Sequence, residues 1–262
     1  MYAILHYRKI LKKKFGRLAK CRKRLMNDRD NRESIHEYRT GVKEIRAILR
    51  MLSMEPGRPD DLQLPKRFMD VYKICGVVRE IQLHIKGYSR FKKYQQLLVE
   101  DLAEKQRQLR QAGKRKFLSR TKKRIYGALP AKMRMDILPA FVAQKIYKID
   151  QWRLMDAIPD DTLHSIRKNI KDIGYVQSIT KKELIPGNRI PDLDKMAGHL
   201  GKYNDLRASM KFLRPIWLNE LPSKERKLLS VKREQNRQRK DLIRCSLRER
   251  LKIMDLNFHY RE

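Results

Sequence analysis

His36, Arg39, Lys43, Arg46 and Arg50 recur at steps of three and four. At 100° per residue on a helix, the five fall within about 80° of arc and form an unbroken cationic ridge. Such a ridge can seat an extended polyanion. Arginine binds phosphate oxygens bidentately, lysine acts as a point charge, and histidine adds a cation that titrates near neutral pH. An ordinary amphipathic helix scatters both charge signs over its wet side, whereas here Glu37 and Glu44 sit off the ridge.

The pattern occurs twice. Laid over the first stretch from Ile35, the segment LHSIRKNIKDIGYVQSI places Leu163 on Ile35, His164 on His36, Ile166 on Tyr38 and Arg167 on Arg39. Ile170, Lys171 and Ile173 then meet Val42, Lys43 and Ile45 at the same offset. Gly174 and Ser178 stand where Arg46 and Arg50 stand in the first copy, and Lys168 adds a cation near the start of the second. The second ridge is therefore weaker at its far end. Arg79, Lys202 and Arg207 are further candidates that could equally be ordinary surface. Glu80, Asn204 and Asp205 read as polar helix-packing residues or as groups that orient the basic side chains. For each histidine the alternatives are a structural hydrogen-bonder beside an apolar stripe and a contact to the ligand.

Helices must position these groups. Ile35, Tyr38, Val42, Ile45, Leu49 and Leu52 form an apolar stripe of helical period beside the first ridge, which makes that stripe the core face. Before it, residues Tyr2 to Met26 form a basic helix ended at Asn27-Asp28, with Asn31 able to cap the next. The ridge helix stops at Pro56-Gly57-Arg58-Pro59. A third helix spans about Lys66 to Ile85, with Gly76 permitting close helix packing, and a fourth runs from about Arg90 to Leu129, where Gly113 can bend or split it. The second half repeats the scheme. One helix covers Ala140 to Asp156, the His164 helix starts at Pro159 with Asp160 as its cap, and a break at Pro186-Gly187-Asn188 follows. The Gly201 helix runs to Pro215 and Pro222, and a basic last helix, capped by Ser223, reaches Met254. That is four helices per half, at 1–131 and 132–262, in an all-α chain without a period-2 segment of useful length.

Composition narrows the partners. Lys and Arg number 64 against 30 Asp and Glu, a formal charge of +34 on 262 residues. Self-repulsion at that charge disfavours compaction, so a polyanion relieves a real cost. Hydrophobic residues at 41% still argue for a folded core rather than a basic tail. Cys21, Cys75 and Cys245 are well separated and show no paired spacing, as in a reduced cytoplasmic protein. The start, MYAILHYRKILKKKFG, has too short an apolar run for a signal peptide, and no stretch approaches the roughly 20 apolar residues of a membrane span. Basic-aromatic interleaving for base stacking is thin at 8% aromatic, and Trp152 and Trp217 read as core or interface. Non-specific nucleic-acid binding nevertheless stays open at this charge. Catalysis is disfavoured. The chain has no phosphate-cradling G-x-x-x-x-G-K-[ST] loop, no H-E-x-x-H metal motif and no cluster of acids for Mg²⁺, so neither a cofactor nor a metal is expected.

The repeated H-x-x-R-x-x-x-[RK] helices, each followed by a helix such as Cys75-Gly76-Val77-Val78-Arg79-Glu80 or Leu200-Gly201-Lys202-Tyr203-Asn204-Asp205, resemble the CHAD domain, the conserved histidine α-helical domain. The likeness spans nearly the whole chain. It departs at Glu44, Gly174 and Cys75, where the family carries arginine, arginine and leucine. The resemblance implies two antiparallel four-helix bundles related by a pseudo-twofold axis. It also implies non-catalytic binding of inorganic polyphosphate in a basic central groove, with polyphosphate or storage granules as a place of association. Carried over residue by residue, it makes His36, Arg39, Lys43, Arg46, Arg50 and Arg79 the expected contacts in one half. In the other half they are His164, Arg167, Lys168, Lys171 and Lys202, to which the residues themselves add Arg207 as a candidate.

Overall fold

Apolar residues at helical spacing dictate the architecture. A computed structural model describes residues 2–27, 32–55, 62–114, 118–130, 132, 134, 136–178, 191–213 and 218–254. In order the helices are α1 Tyr2–Asn27, α2 Arg32–Leu52, α3 Lys66–Gly87, α4 Lys92–Lys114, α5 Leu118–Ala128, α6 Ile137–Arg153, α7 Asp160–Gln177, α8 Pro191–Phe212 and α9 Ser223–Ile253. Among the described residues there is no strand. The expected fourth helix is two: α4 ends one residue after Gly113 and α5 opens at Leu118. The expected cap at Asn31 and the breaks at Asp28, Pro56–Pro59, Pro186–Asn188 and Pro215 lie outside the described residues, as does Trp217.

The chain divides into two compact units. The first comprises Met1–Gln82, Glu100–Phe141 and Tyr175–Ile179, and the second Leu83–Val99, Val142–Gly174 and Thr180–Glu262. In the first unit the stripe Ile35, Tyr38, Val42, Ile45, Leu49 and Leu52 is buried as its spacing requires, and so is the α1 stripe Tyr7, Leu11, Phe15, Leu18 and Leu25. A Cβ on Gly41 would stand 2.8 Å from Leu18 Cδ2, so glycine is what lets α2 lie this close to α1. Tyr38 stacks on Phe68 of α3 with ring centroids 6.1 Å apart, which sets the third helix against the second.

In the second unit an aromatic cluster joins α3, α4 and α8. His84 stacks between Tyr88, at 4.3 Å, and Phe212, at 4.7 Å. The Tyr94 hydroxyl donates to the Phe212 carbonyl at 3.1 Å. The first turn of α4 donates the backbone N–H groups of Lys93 and Tyr94 to the Glu225 carboxylate of α9, at 3.2 and 3.1 Å. A side chain from another helix thus satisfies donors that a helix start leaves orphaned. Two expected caps are corrected. Ser223 is the first residue of α9 rather than its cap; Pro222 holds the cap position with no side-chain hydrogen bond. Asp160 opens α7, and its carboxylate instead accepts the Tyr203 hydroxyl of α8 and, at 3.2 Å, Lys240 of α9. Arg244 Nη1 lies 3.6 Å from the same carboxylate. Burial works to raise the Asp160 pKa, but the Tyr203 bond and the Lys240 and Arg244 charges outweigh it and hold the acid below its usual value.

Candidate functional site

The ridge on α2 runs beside a matching stripe of α3. Tyr72, Gly76 and Arg79, at i, i+4 and i+7, share one face of α3. Arg39 reaches that face and donates from Nη1 to the Tyr72 carbonyl at 3.1 Å. Its guanidinium carbon lies 4.7 Å from the Tyr72 ring centroid, and that of Arg46 lies 6.0 Å from it, so two ridge arginines two turns apart flank one aromatic face. Gly76 supplies the space, because a Cβ there would collide with the Arg39 guanidinium. Its role is to admit a cation from the neighbouring helix, where close backbone packing was the expectation.

His36 is exposed and its Nδ1 meets Arg79 Nη1. Guanidinium can only donate, so this nitrogen is the acceptor and the imidazole is neutral with its proton on Nε2. Partial desolvation first, then the positive charges of Arg79 and Lys43, hold the His36 pKa below its ordinary value. Lys43, Arg46 and Arg50 complete the ridge as half-buried side chains. The acids between them are drawn away to α1. Lys14 pairs with Glu44 at 2.5 Å, and Arg24 pairs with Glu37, which also accepts from the Cys21 thiol at 3.2 Å.

The second unit holds the counterpart on α7 and α8, built differently. His164 Nδ1 lies 3.1 Å from Asn204 Oδ1, and the Asn204 amide nitrogen donates to the Leu200 carbonyl at 2.8 Å. The amide's orientation makes His164 Nδ1 the donor, where His36 Nδ1 accepts. Asn204 therefore takes the orienting role. Arg207 bonds Asp161 at 2.8 Å, across α8 and α7. Arg167 and Lys171 are half-buried, and among the described residues the Arg167 Nε finds no hydrogen-bond partner. Lys168 and Lys202 are exposed. Off this ridge Asp172 pairs with Lys145 of α6 at 3.8 Å, as Glu44 does with Lys14 of α1.

Arg79 thus joins the ridge residues Arg39 and His36, while Arg207 is occupied by Asp161 and Lys202 shares none of these contacts. Tyr72 and Asp161 were missed from the sequence. The i, i+4, i+7 spacing of Tyr72, Gly76 and Arg79 is the signal that could have found Tyr72; an exposed acid such as Asp161 carries none. Among the described residues no three His, Cys, Asp or Glu side chains come together as a metal site. No described helix is long and apolar enough to cross a membrane.

These features define an all-helical protein in which two histidine-led basic helices are each set against a second helix that orients them. The CHAD domain family profile matches residues 9–214, and the chain belongs to that family. The crystal structure of the CHAD domain from the plant Ricinus communis is similar at a TM-score of 0.76 and 14% identity, covering 97% of this chain and 92% of that one. At that identity the likeness speaks for the fold. No curated protein sequence matches the chain.

Proposed function

We propose that the chain binds inorganic polyphosphate, without turning it over, on the ridged helices α2 and α7. The seats are His36, Arg39, Lys43, Arg46, Arg50 and Arg79 in one half, and His164, Arg167, Lys168, Lys171, Lys202 and Arg207 in the other. The observation that carries this reading is the sorting of charge on α2, where Glu37 and Glu44 are paired with α1 and the cations share the other flank. A polyphosphate chain offers repeated charge and no base edges, so it calls for fixed, closely spaced cations and nothing that reads sequence. The halves 1–131 and 132–262 are taken as copies of one four-helix bundle related by a pseudo-twofold axis, the fourth helix of the first half being split into α4 and α5. The paired lysine–acid bridges, Lys14 with Glu44 and Lys145 with Asp172, support that view. The three unpaired thiols suit the reducing cytoplasm.

The test is a competition titration at about 150 mM salt, a strength at which diffuse surface attraction is screened beyond roughly 8 Å. Labelled long-chain polyphosphate is displaced by nucleic acid at matched phosphate concentration, with Arg39→Ala/Arg46→Ala alongside. Resistance to displacement together with loss of binding in the double variant supports the reading. Equal competition and an unaffected variant would move non-specific nucleic-acid binding ahead. Release of orthophosphate in the presence of Mg²⁺ or Mn²⁺, abolished by His36→Ala, would overturn the non-catalytic part.

A further inference from the structure

Helix α9 carries two apolar faces, and the core uses only one. Leu229, Leu247 and Leu251 are buried. About 130° round the helix, Leu228, Val231, Leu242 and Ile253 fall within about 60° of arc, yet they are 51% to 83% exposed. Val231, Leu242 and Ile253 are spaced at eleven residues, a repeat that keeps side chains nearly collinear on a straight helix. The other residues of that arc are Lys224, Gln235, Ser246 and a single acid, Glu249. Lys232, Arg239 and Arg250 stand on one shoulder, and Lys227 stands on the other beside Gln238 and Cys245. Glu225 and Glu234, the acids nearest the shoulders, are engaged elsewhere, with the first turn of α4 and with Arg237 respectively.

We propose that this outer face of α9 lies on an anionic lipid surface, the aliphatic side chains dipping past the headgroups while the flanking lysines and arginines meet their phosphates. Charge complementarity names the lipid class: three cations border the stripe on one side and Lys227 on the other, the signature of a helix that rests in an interface instead of crossing it. The spacing argues against a helical protein partner. A coiled-coil seam needs an apolar residue about every three and a half positions, and here glutamine, serine and glutamate fill the gaps. A flat surface makes no such demand, because each side chain is buried independently. At 31 residues α9 is about 46 Å long, enough to lay all four side chains on one plane. The face shares no residue with the polyphosphate seats, and the proposal does not depend on them.

A chain of this charge adsorbs to any anionic vesicle at low salt, so the test must isolate the aliphatic stripe. Vesicle co-sedimentation is run at about 300 mM salt, where charge-only adsorption is strongly screened, with phosphatidylglycerol–phosphatidylcholine vesicles against phosphatidylcholine alone. The variant Leu228→Ser/Val231→Ser/Leu242→Ser/Ile253→Ser keeps the charge and alters only exposed side chains. It should melt like the parent and keep its polyphosphate affinity, while its partition to the anionic vesicles falls at least about tenfold. Leu242→Trp should be quenched by brominated lipid. Unchanged partition of the serine variant, or an unquenched tryptophan, would overturn the proposal in favour of diffuse charge. A self-associating parent whose serine variant is monomeric would overturn it in favour of a second copy of the chain.

Discussion

Gly76→Ala tests the site without touching a charge. The new methyl group takes the space of the Arg39 guanidinium, and the far end of that flexible side chain is what moves. Arg39 then loses its 3.1 Å bond to the Tyr72 carbonyl and its place over the Tyr72 ring. For stability the terms oppose. A hydrogen bond from a charged donor contributes about 1.5–3 kcal/mol and an exposed cation–π contact about 0.5–1, while alanine for glycine within a helix returns about 1 kcal/mol. The net expectation is a loss of about 1–3 kcal/mol. For binding, an arginine released from its fixed position regains about 2 kcal/mol of rotamer entropy. If that must be lost again on the ligand, polyphosphate affinity falls about tenfold to thirtyfold. Gly201→Ala is the matched control, since nothing stands within 4 Å of its added Cβ; it should leave binding unchanged and add about 0.5–1 kcal/mol of stability. Titration of both variants at one salt concentration, with urea unfolding alongside, decides the matter. Parent-like binding by Gly76→Ala, or equal damage from Gly201→Ala, would refute the idea that Arg39 is held ready for phosphate.

Further expectations concern protons and buried charge. Partial desolvation and the charges of Arg79 and Lys43 hold the His36 pKa below its ordinary value in the free chain; nearby phosphate raises it, so protons are taken up on binding and affinity should rise as pH falls from 8 towards 6. His36→Gln should flatten that dependence, and a slope unchanged in the variant would exclude His36 as its source. His84 is buried, with a pKa depressed to about 4 by desolvation. Its neutral form is the one that folds. Stability is therefore complete above the unfolded value near 6.5 and is lost as pH falls towards 4, by about 3 kcal/mol; His84→Phe should remove that part of the acid slope in urea titrations. The Lys145–Asp172 pair is buried on both sides, so Asp172→Ala takes a countercharge from a buried ammonium and should lower the urea midpoint, whereas Lys145→Met/Asp172→Leu should recover most of the loss.

Periodicity alone determined that the chain is helical, which face of α2 is buried and where the two ridges lie, because a step of 100° per residue is a local property of the backbone. The doubling of the pattern, and the glycine-containing helix that follows each ridge helix along the chain, were equally legible. What the ridges touch was not. Tyr72 looks like any tyrosine until α3 is set against α2, and Gly76 looks like a packing residue until the side chain filling its space proves to be Arg39. The protonation of the two histidines was likewise undecidable from matched positions. Arg79 can only donate to His36, whereas Asn204, oriented by the Leu200 carbonyl, accepts from His164. The outer stripe of α9 lies between these cases. Its aliphatic residues are visible in the sequence, but a helix with two apolar faces has no single direction, and only tertiary packing determined which face the core would take and which it would leave outside.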